Sequence, residues 1–337
     1  MNFIVRPARE NDLDALYEMA KLVGGGMTNL PPERSVLAEK LERSNEALEK
    51  AEDVPGDDLY VLALEDLDTG KVRGTAQIFG RIGEELPFYS YRIGTLTQAS
   101  RELGRSFRAE MLTLTSDYDG CSEVGGLFVH PAERAGGLGM LLARSRYLFI
   151  KRHRARFAQR TLAELRGVID EAGSSPFWDA LGGRFFGMSF DEADQFNSRY
   201  GNQFIADLMP KHPIYTAMLP DAARNVIGVP HPSGRAAMRM LEAEGFAYEG
   251  YIDIFDGGPT MVAQTDQIRT IATAKDAKLI ATGLADEEQS LIAAGRLQNF
   301  RVTWGVVEDR DGGVALNPKA AAALGATIGD TISHVPH

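Results

Sequence analysis

Hydrophobic and polar positions along the first quarter of the chain change period several times. Phe3-Ile4-Val5 is a short apolar run before Pro7, and Leu13, Leu16, Tyr17 and Ala20 then recur at helical spacing. The chain therefore opens with a strand and an amphipathic helix, capped by Asn11 or Asp12. Gly24-Gly25-Gly26 ends that helix. Residues 31–52 predict a second, highly charged helix with Val36, Leu37, Leu41 and Leu48 inward. Two β-type runs, 59–64 and 72–79, flank a polar turn and read as a hairpin. Further strands are expected near 111–115 and over 123–129, the latter running straight into a glycine-bearing turn.

From Leu138 to about Arg166 the pattern is helical, with Leu141, Leu142, Ser145, Leu148 and Phe149 on one side. Arg144, Arg146, Lys151, Arg152, Arg154, Arg156 and Arg160 occupy the other faces. No aromatic stacking platform accompanies them, so they predict a solvated face or a subunit contact, with His153 solvated among them. Residues 167–169 read as a strand, 174–182 as a short helix ending in a glycine, and 234–244 as a helix with Ala237, Met240 and Leu241 inward. Gly245-Phe246 leads into a strand over 248–255, repeating the order helix, glycine, aromatic, strand. Residues 263–290 are polar and alanine-rich and suit a connector holding one helix. Short strands, two glycine turns and a helix at 318–324 follow. The expected division is a large domain over 1–262, with possible internal duplication, and a connector plus small β domain over 263–337.

Composition narrows the classes. Hydrophobic residues make up 44% and charged residues 25% of the 337, as in a globular protein with a sizeable core. Lys and Arg number 36 against 47 Asp and Glu, and the net charge of −11 disfavours nucleic acid or an anionic membrane as partner. One cysteine, Cys121, allows neither an intramolecular disulfide nor a multi-cysteine zinc site, and no metal is expected. The N-terminus lacks a signal-peptide apolar core, and no window approaches the roughly 18 apolar residues of a membrane span. A cytoplasmic location is the expectation.

The segment from Leu127-Phe128-Val129 through Arg134, Gly136, Gly137 and Gly139 carries the chemistry. An apolar strand runs into a turn whose glycines open a helix, and a helix start offers unpaired N–H groups and partial positive charge to a phosphate. The glycines remove β-carbons that would hold a diphosphate away, and Arg134 adds a forked cation. No Gly-Lys-Ser/Thr follows and G-x-G-x-x-G is missing, so neither a Walker loop nor a Rossmann fingerprint fits.

The pattern Arg-x-x-Gly-x-Gly, as Arg134, Gly137 and Gly139 after an apolar strand, resembles the acyl-CoA pyrophosphate loop of the GNAT superfamily of N-acyltransferases. Blocks at 24–31 (GGGMTNLP), 91–100 (YRIGTLTQAS), 166–178 (RGVIDEAGSSPFW), 204–216 (FIADLMPKHPIYT) and 251–260 (YIDIFDGGPT) are similar to the arginine N-succinyltransferase, or AstA, family. Residues 316–335 resemble the small β-barrel-like domain that such enzymes append. The likeness implies an α+β (α/β) fold with a GNAT-like central mixed sheet flanked by helices. It implies transfer of a succinyl group from succinyl-CoA to the α-amine of L-arginine, with succinyl-CoA as co-substrate and no tightly bound cofactor. A homo-oligomer, or a heteromer with a related subunit, is the expected assembly. Alternatives are the same chemistry on ornithine or another amine, or a non-catalytic partner subunit.

Residue roles follow from the same likeness. Leu127 matches a position that contacts succinyl-CoA, through the backbone of 127–129, and His231 matches the proton donor. His231 lies between Pro230 and Pro232, which hold it on a stiff loop at a helix start. His130, before Pro131, suits a turn, and His212 is a second-rank candidate. Cys121 as an acyl-accepting thiol is disfavoured, because CoA-dependent amine acylation needs no acyl-enzyme. Glu123, Asp170, Glu171, Asp253 and Asp256 are candidates for the guanidinium, with no one of them preferred, and Arg92 for the succinyl carboxylate.

Overall fold

A computed structural model describes residues 2–23, 29–134, 136–201, 203–283 and 289–336, with backbone only for 198 and 199. The expected glycine stop at Gly24-Gly25-Gly26 lies outside the described residues. Strand β1 (Phe3–Pro7) and helices α1 (Leu13–Val23) and α2 (Arg34–Glu49) lead to the hairpin β2 (Leu59–Asp66) and β3 (Lys71–Phe79). A long second hairpin follows, β4 (Ser90–Ser100) and β5 (Arg105–Thr115), then β6 (Ser122–Val129), α3 (Leu138–Arg152) and β7 (Arg160–Glu164). Five short helices come next: α4 (Pro176–Ala180), α5 (Gly182–Phe186), α6 (Phe190–Tyr200), α7 (Gln203–Leu208) and, after the two-residue β8 (Ile214–Tyr215), α8 (Asp221–Arg224). Helix α9 (Arg235–Ala243) and strands β9 (Ala247–Asp253) and β10 (Pro259–Gln264) complete the larger part. Helix α10 (Arg269–Thr273) leads to β11 (Lys275–Thr282), β12 (Gln289–Ala294), β13 (Arg301–Arg310), β14 (Gly313–Leu316), α11 (Pro318–Leu324) and β15 (Thr331–Pro336).

The central sheet runs β1-β2-β3-β6-β7-β10-β9-β4-β5-β8, and only its β6–β7 pair is parallel. Strands β12-β15-β11-β14-β13 close on themselves through β12–β13, making a small five-stranded barrel that meets the sheet at Val5 opposite Val302. The fold is thus α+β: a GNAT-like mixed sheet with helices on its faces and a small closed barrel. Tyr60, Leu62, Leu148, Phe149, Phe300 and Val302 belong to one buried cluster, so sheet, α3 and barrel share a core. A second cluster, centred on Phe177, Trp178 and Phe255, seats the short helices on β4 and β9.

Several expectations are corrected. The helical run 138–166 is α3, a turn and β7, because Arg154-Ala155-Arg156 closes a single 3-10 turn and the chain then reverses. Residues 167–169 make only one bridge, Gly167 to Pro230, since the chain leaves the sheet there. The stretch 263–290 is no mere connector; it includes the end of β10, α10 and barrel strand β11. The β4–β5 hairpin is far longer than the single strand read at 111–115.

The basic helix face is not solvated. Arg152 donates to Gly295 O at 2.8 Å, Ser333 Oγ at 2.8 Å and Thr331 O at 3.1 Å, all in the barrel. Arg144 donates to Thr270 Oγ1 and pairs with Glu244, while Arg156 is wholly buried against Ala47 O, Tyr60 and Asp53. Arg152 thus staples α3 to the barrel through two carbonyls and a hydroxyl, while Arg144 and Arg156 pair with carboxylates of the larger part.

His153 is 1% exposed rather than solvated. Its Nδ1 lies 2.8 Å from Phe149 O and its Nε2 accepts the Leu297 N–H at 3.0 Å, so the ring is neutral with its proton on Nδ1. Leu297 takes a φ of 50°, an uncommon conformation for leucine, and this hydrogen bond pins it. Burial, the largest cause, and the nearby arginines pull the His153 imidazole down to about 4 from its usual 6.5. The unfolded chain therefore binds this proton more readily, and stability from neutral His153 is lost as pH falls from 6.5 towards 4. The full effect is about 3 kcal/mol. In urea titrations, His153→Gln is expected to be less stable than the parent at pH 7, with the gap narrowing by pH 4.5; a gap that widens contradicts the assignment.

Candidate active site

Two parallel strands that part company build the site. β6 and β7 pair only at Ser122/Thr161 and Glu123/Leu162. Beyond that point β6 bends away, because Gly125-Gly126 forms a bulge against β3 between Thr75 and Gln77. Gly126 has a φ of +57°, and a β-carbon there would stand 2.9 Å from the Gln77 side chain, so only glycine gives this turn without displacement. Beyond the bulge β6 still pairs with β3 on one edge, Thr75 opposite Phe128 and Gly74 opposite Val129. Its other edge, along Leu127, Phe128 and Val129, has no ladder partner among the described residues. The Phe128 side chain fills the core under α1 and α2, and Leu127 and Val129 pack toward the main core. Backbone, not side chain, is what these three residues present.

The β6 arm ends at the glycine loop. Gly136 and Gly137 have φ of +82° and +78°, where other residues are strained. Space within 4 Å of the missing β-carbons of Gly137 and Gly139 is empty. Helix α3 starts with no side-chain cap and no acid in its first turn, so its leading N–H groups lack a capping side chain. Exposed Arg134 donates from Nε to Val129 O at 3.4 Å, which folds it back along the strand end. Loop, helix end and arginine together make a seat for an anion.

The β7 arm ends at His231, whose N–H donates to Arg166 O at 2.8 Å. Its Nδ1 accepts the Ser233 N–H at 3.2 Å and lies 2.7 Å from Ser233 Oγ. With Nδ1 an acceptor, the neutral ring carries its proton on Nε2 and can donate it. Partial burial, and secondarily Arg166, hold this imidazole below 6.5. His130 makes the same kind of cap, with Nδ1 accepting the Ala132 N–H at 3.2 Å. It faces a cavity of about 590 Å³ beside α1 whose Arg6 is already paired with Asp12 and Glu65. His212 is exposed before β8.

Carboxylates line the crotch. Glu123, at the last β6–β7 rung, is 7% exposed, and its carboxyl group makes no hydrogen bond or ion pair among the described residues. Burial pushes its carboxyl up to about 7, partly offset by Lys40, whose amine burial pulls down to about 8. Glu164, Asp253 and Asp256 are also raised, first by burial and then, for Glu164 and Asp256, by neighbouring acids. Asp256 accepts the Gly167 and Gly258 N–H groups at 2.7 and 2.8 Å. Of the five acids read from the sequence, Glu123, Asp253 and Asp256 gather here, while Asp170 and Glu171 are exposed in a loop where Asp170 accepts from Ala172 and Ser174. Glu164 was hidden in the run read as helix. Its only sequence signal was length: residues 138–166 exceed the roughly 20 residues of most globular helices. Arg92, exposed on β4, lies 3.6 Å from Asp117. Cys121 is buried, its thiol pushed up by that burial, and unsuited to accepting an acyl group.

A mixed sheet parted at β6–β7 is the architecture that the sequence likeness implies, that of an acyl-CoA-dependent transferase. The family model described as "Arginine N-succinyltransferase beta subunit" matches residues 3–270, and that of its "C-terminal domain" matches 267–336. The chain belongs to the arginine N-succinyltransferase family. It is 41% identical over 334 residues to the arginine N-succinyltransferase subunit beta of Pseudomonas aeruginosa, covering 99% of this chain and 98% of that one. It is 44% identical over 268 residues to the arginine N-succinyltransferase of Citrobacter koseri, covering 80% and 78%. The solved arginine/ornithine succinyltransferase subunit AI from Pseudomonas aeruginosa superimposes with a TM-score of 0.89 at 33% identity, covering 99% of this chain and 98% of that one.

Arg166 beside His231 generates a direct expectation. Removing the positive charge in Arg166→Gln relieves repulsion of the imidazolium, so the His231 titration followed by NMR should move upward. A downward or absent shift contradicts the electrostatic coupling.

Proposed function

We propose that this chain moves the succinyl group of succinyl-CoA onto the α-amine of L-arginine by direct attack on the thioester, with succinyl-CoA bound only as co-substrate. The observation that carries this reading is the cleft between β6 and β7, with an anion seat at the mouth of one arm, a proton-bearing imidazole on the other and an unpaired carboxylate at the crotch. The names and close similarity of the family relatives support the choice of donor and acceptor.

The pyrophosphate of the coenzyme would sit on the first turn of α3, against Gly136, Gly137, Gly139 and Arg134. The pantetheine arm would lie along the open edge of Leu127, Phe128 and Val129, its amides replacing the missing strand. An α-ammonium has a pKa near 8 and must lose a proton before its lone pair can attack. Glu123, with a pKa of about 7, is matched to take it. As the tetrahedral intermediate collapses, His231 Nε2–H would protonate the departing thiolate sulfur. Unpaired backbone N–H groups on β6 would meet the oxyanion.

The arginine/ornithine title of the solved relative makes ornithine the first alternative acceptor, and the subunit names of two relatives favour an oligomer, homomeric or mixed. Two substitutions separate the roles. His231→Ala should lower kcat by about 10²–10⁴-fold and leave CoA affinity nearly intact, as expected for a lost proton donor. Gly137→Val, forced into a positive φ above the diphosphate seat, should raise the Kd for CoA, measured by calorimetry. Equal loss of CoA affinity in both variants contradicts the assignment.

A further inference from the structure

The crotch of the cleft holds more acid than the proton transfers need. Glu164 on β7 and Asp253 on β9 point to one face of the sheet and hydrogen-bond to each other. Asp253 Oδ1 also accepts the Phe255 and Asp256 N–H groups at 2.5 and 2.9 Å, which stabilises it as the anion. Glu164 therefore holds the shared proton, and its Oε1 is buried without any partner. The strand register sets two further unpartnered groups beside the pair: Thr260 opposite Glu164 and Ser90 opposite Asp253. Both residues are at most 1% exposed, and neither hydroxyl has a hydrogen-bond partner among the described residues. Buried polar groups are nearly always satisfied, so three orphans around one carboxyl pair mark a place completed by something from outside.

The chemistry of the missing piece can be read from the atoms that await it. The unmet groups are a carboxyl oxygen and two hydroxyls around an acid pair, a set rich in acceptors. Among the described residues no basic side chain pairs with either acid; Arg166 acts on Asp256 and Lys40 on Glu123. Glu164 and Asp253 are half-buried as residues, and the Glu164 Oε1 atom itself is buried. Arg92, Tyr251 and Asp117 border the same side of the sheet, where Tyr251 donates to Asp117 at 2.8 Å.

We propose that Glu164 and Asp253, flanked by Ser90 and Thr260, form the subsite that seats the guanidinium of the acceptor amino acid. A planar cation with five N–H donors would satisfy both carboxylates and the hydroxyls together, and a carboxylate matches its forked geometry. As it enters, the proton held on Glu164 leaves to solvent, so a pair with one negative charge becomes a dianion facing a monocation beside Glu123, Asp256, Arg166 and Arg92. The inference rests on the acyl-transfer reading for the orientation of the substrate, with its α-amine toward Glu123.

Citrulline, which has the same length but a neutral ureido group, is the discriminating ligand. Glu164→Gln copies the shape of the protonated acid and should fold normally. It is expected to raise KM for arginine by about tenfold or more while leaving KM for succinyl-CoA unchanged, and to narrow or reverse the preference for arginine over citrulline. Asp253→Asn should act in the same direction. Calorimetry on the parent in two buffers of different ionisation enthalpy should show arginine binding with proton release near pH 7, and citrulline binding without it. Equal effects of Glu164→Gln on arginine and citrulline, or binding of arginine without proton release, overturn the subsite. A parent that binds arginine with proton release but never acylates it leaves the subsite standing and refutes the acyl-transfer reading instead.

Discussion

Everything at the site depends on the failure of two neighbouring strands to stay paired. Parallel strands normally share their full lengths, because each unmet backbone group taken from water costs free energy. Here Gly125 and Gly126 bend β6 after the Glu123 rung, and the edge of Leu127 to Val129 is left without a ladder. The open edge needs water, or a ligand with its own amides, along it. The same bend brings the α3 start to one side of the gap and the end of β7, with His231, to the other. One local deformation thus makes the slot and sets the α3 start and His231 on its two lips.

The surroundings hold that deformation in place. Helix α3 is buried on nearly every side because the sheet covers one face and the barrel another. Its arginines bond to barrel carbonyls and hydroxyls, and neutral His153 fixes the turn at Leu297. A helix clamped from both sides keeps its N-terminus fixed relative to β6, which a preorganised anion seat requires. The barrel therefore contributes to the site without supplying a residue to it.

Much of this was legible in the sequence. The strand-to-helix glycine loop around Arg134, Gly137 and Gly139 declares itself by residue type, since positive φ and close backbone approach select glycine locally. His231 stands out because two prolines frame it. The acid cluster was legible only in part: Glu123, Asp253 and Asp256 were among five candidates, but nothing singled them out, because the adjacency of their strands is a property of the sheet order, not of spacing along the chain. Glu164 was further concealed by an apolar pattern that continues across the turn between α3 and β7. The arginines of α3 misled for a related reason: an amphipathic pattern reports one buried face, and a helix covered twice buries its charged face as well, provided each guanidinium finds acceptors. The β4–β5 hairpin escaped because much of its length is exposed on both faces and lacks the alternation that marks a half-buried strand.

The central claim is that a coenzyme thioester fills the gap between β6 and β7. A crystal structure with a non-hydrolysable succinyl-CoA analogue tests it most directly. The account predicts the diphosphate on the first turn of α3, the pantetheine amides bonded to the backbone of residues 127–129, and the thioester carbon between Glu123 and His231. An analogue bound elsewhere, with the β6 edge still unmet, would contradict it.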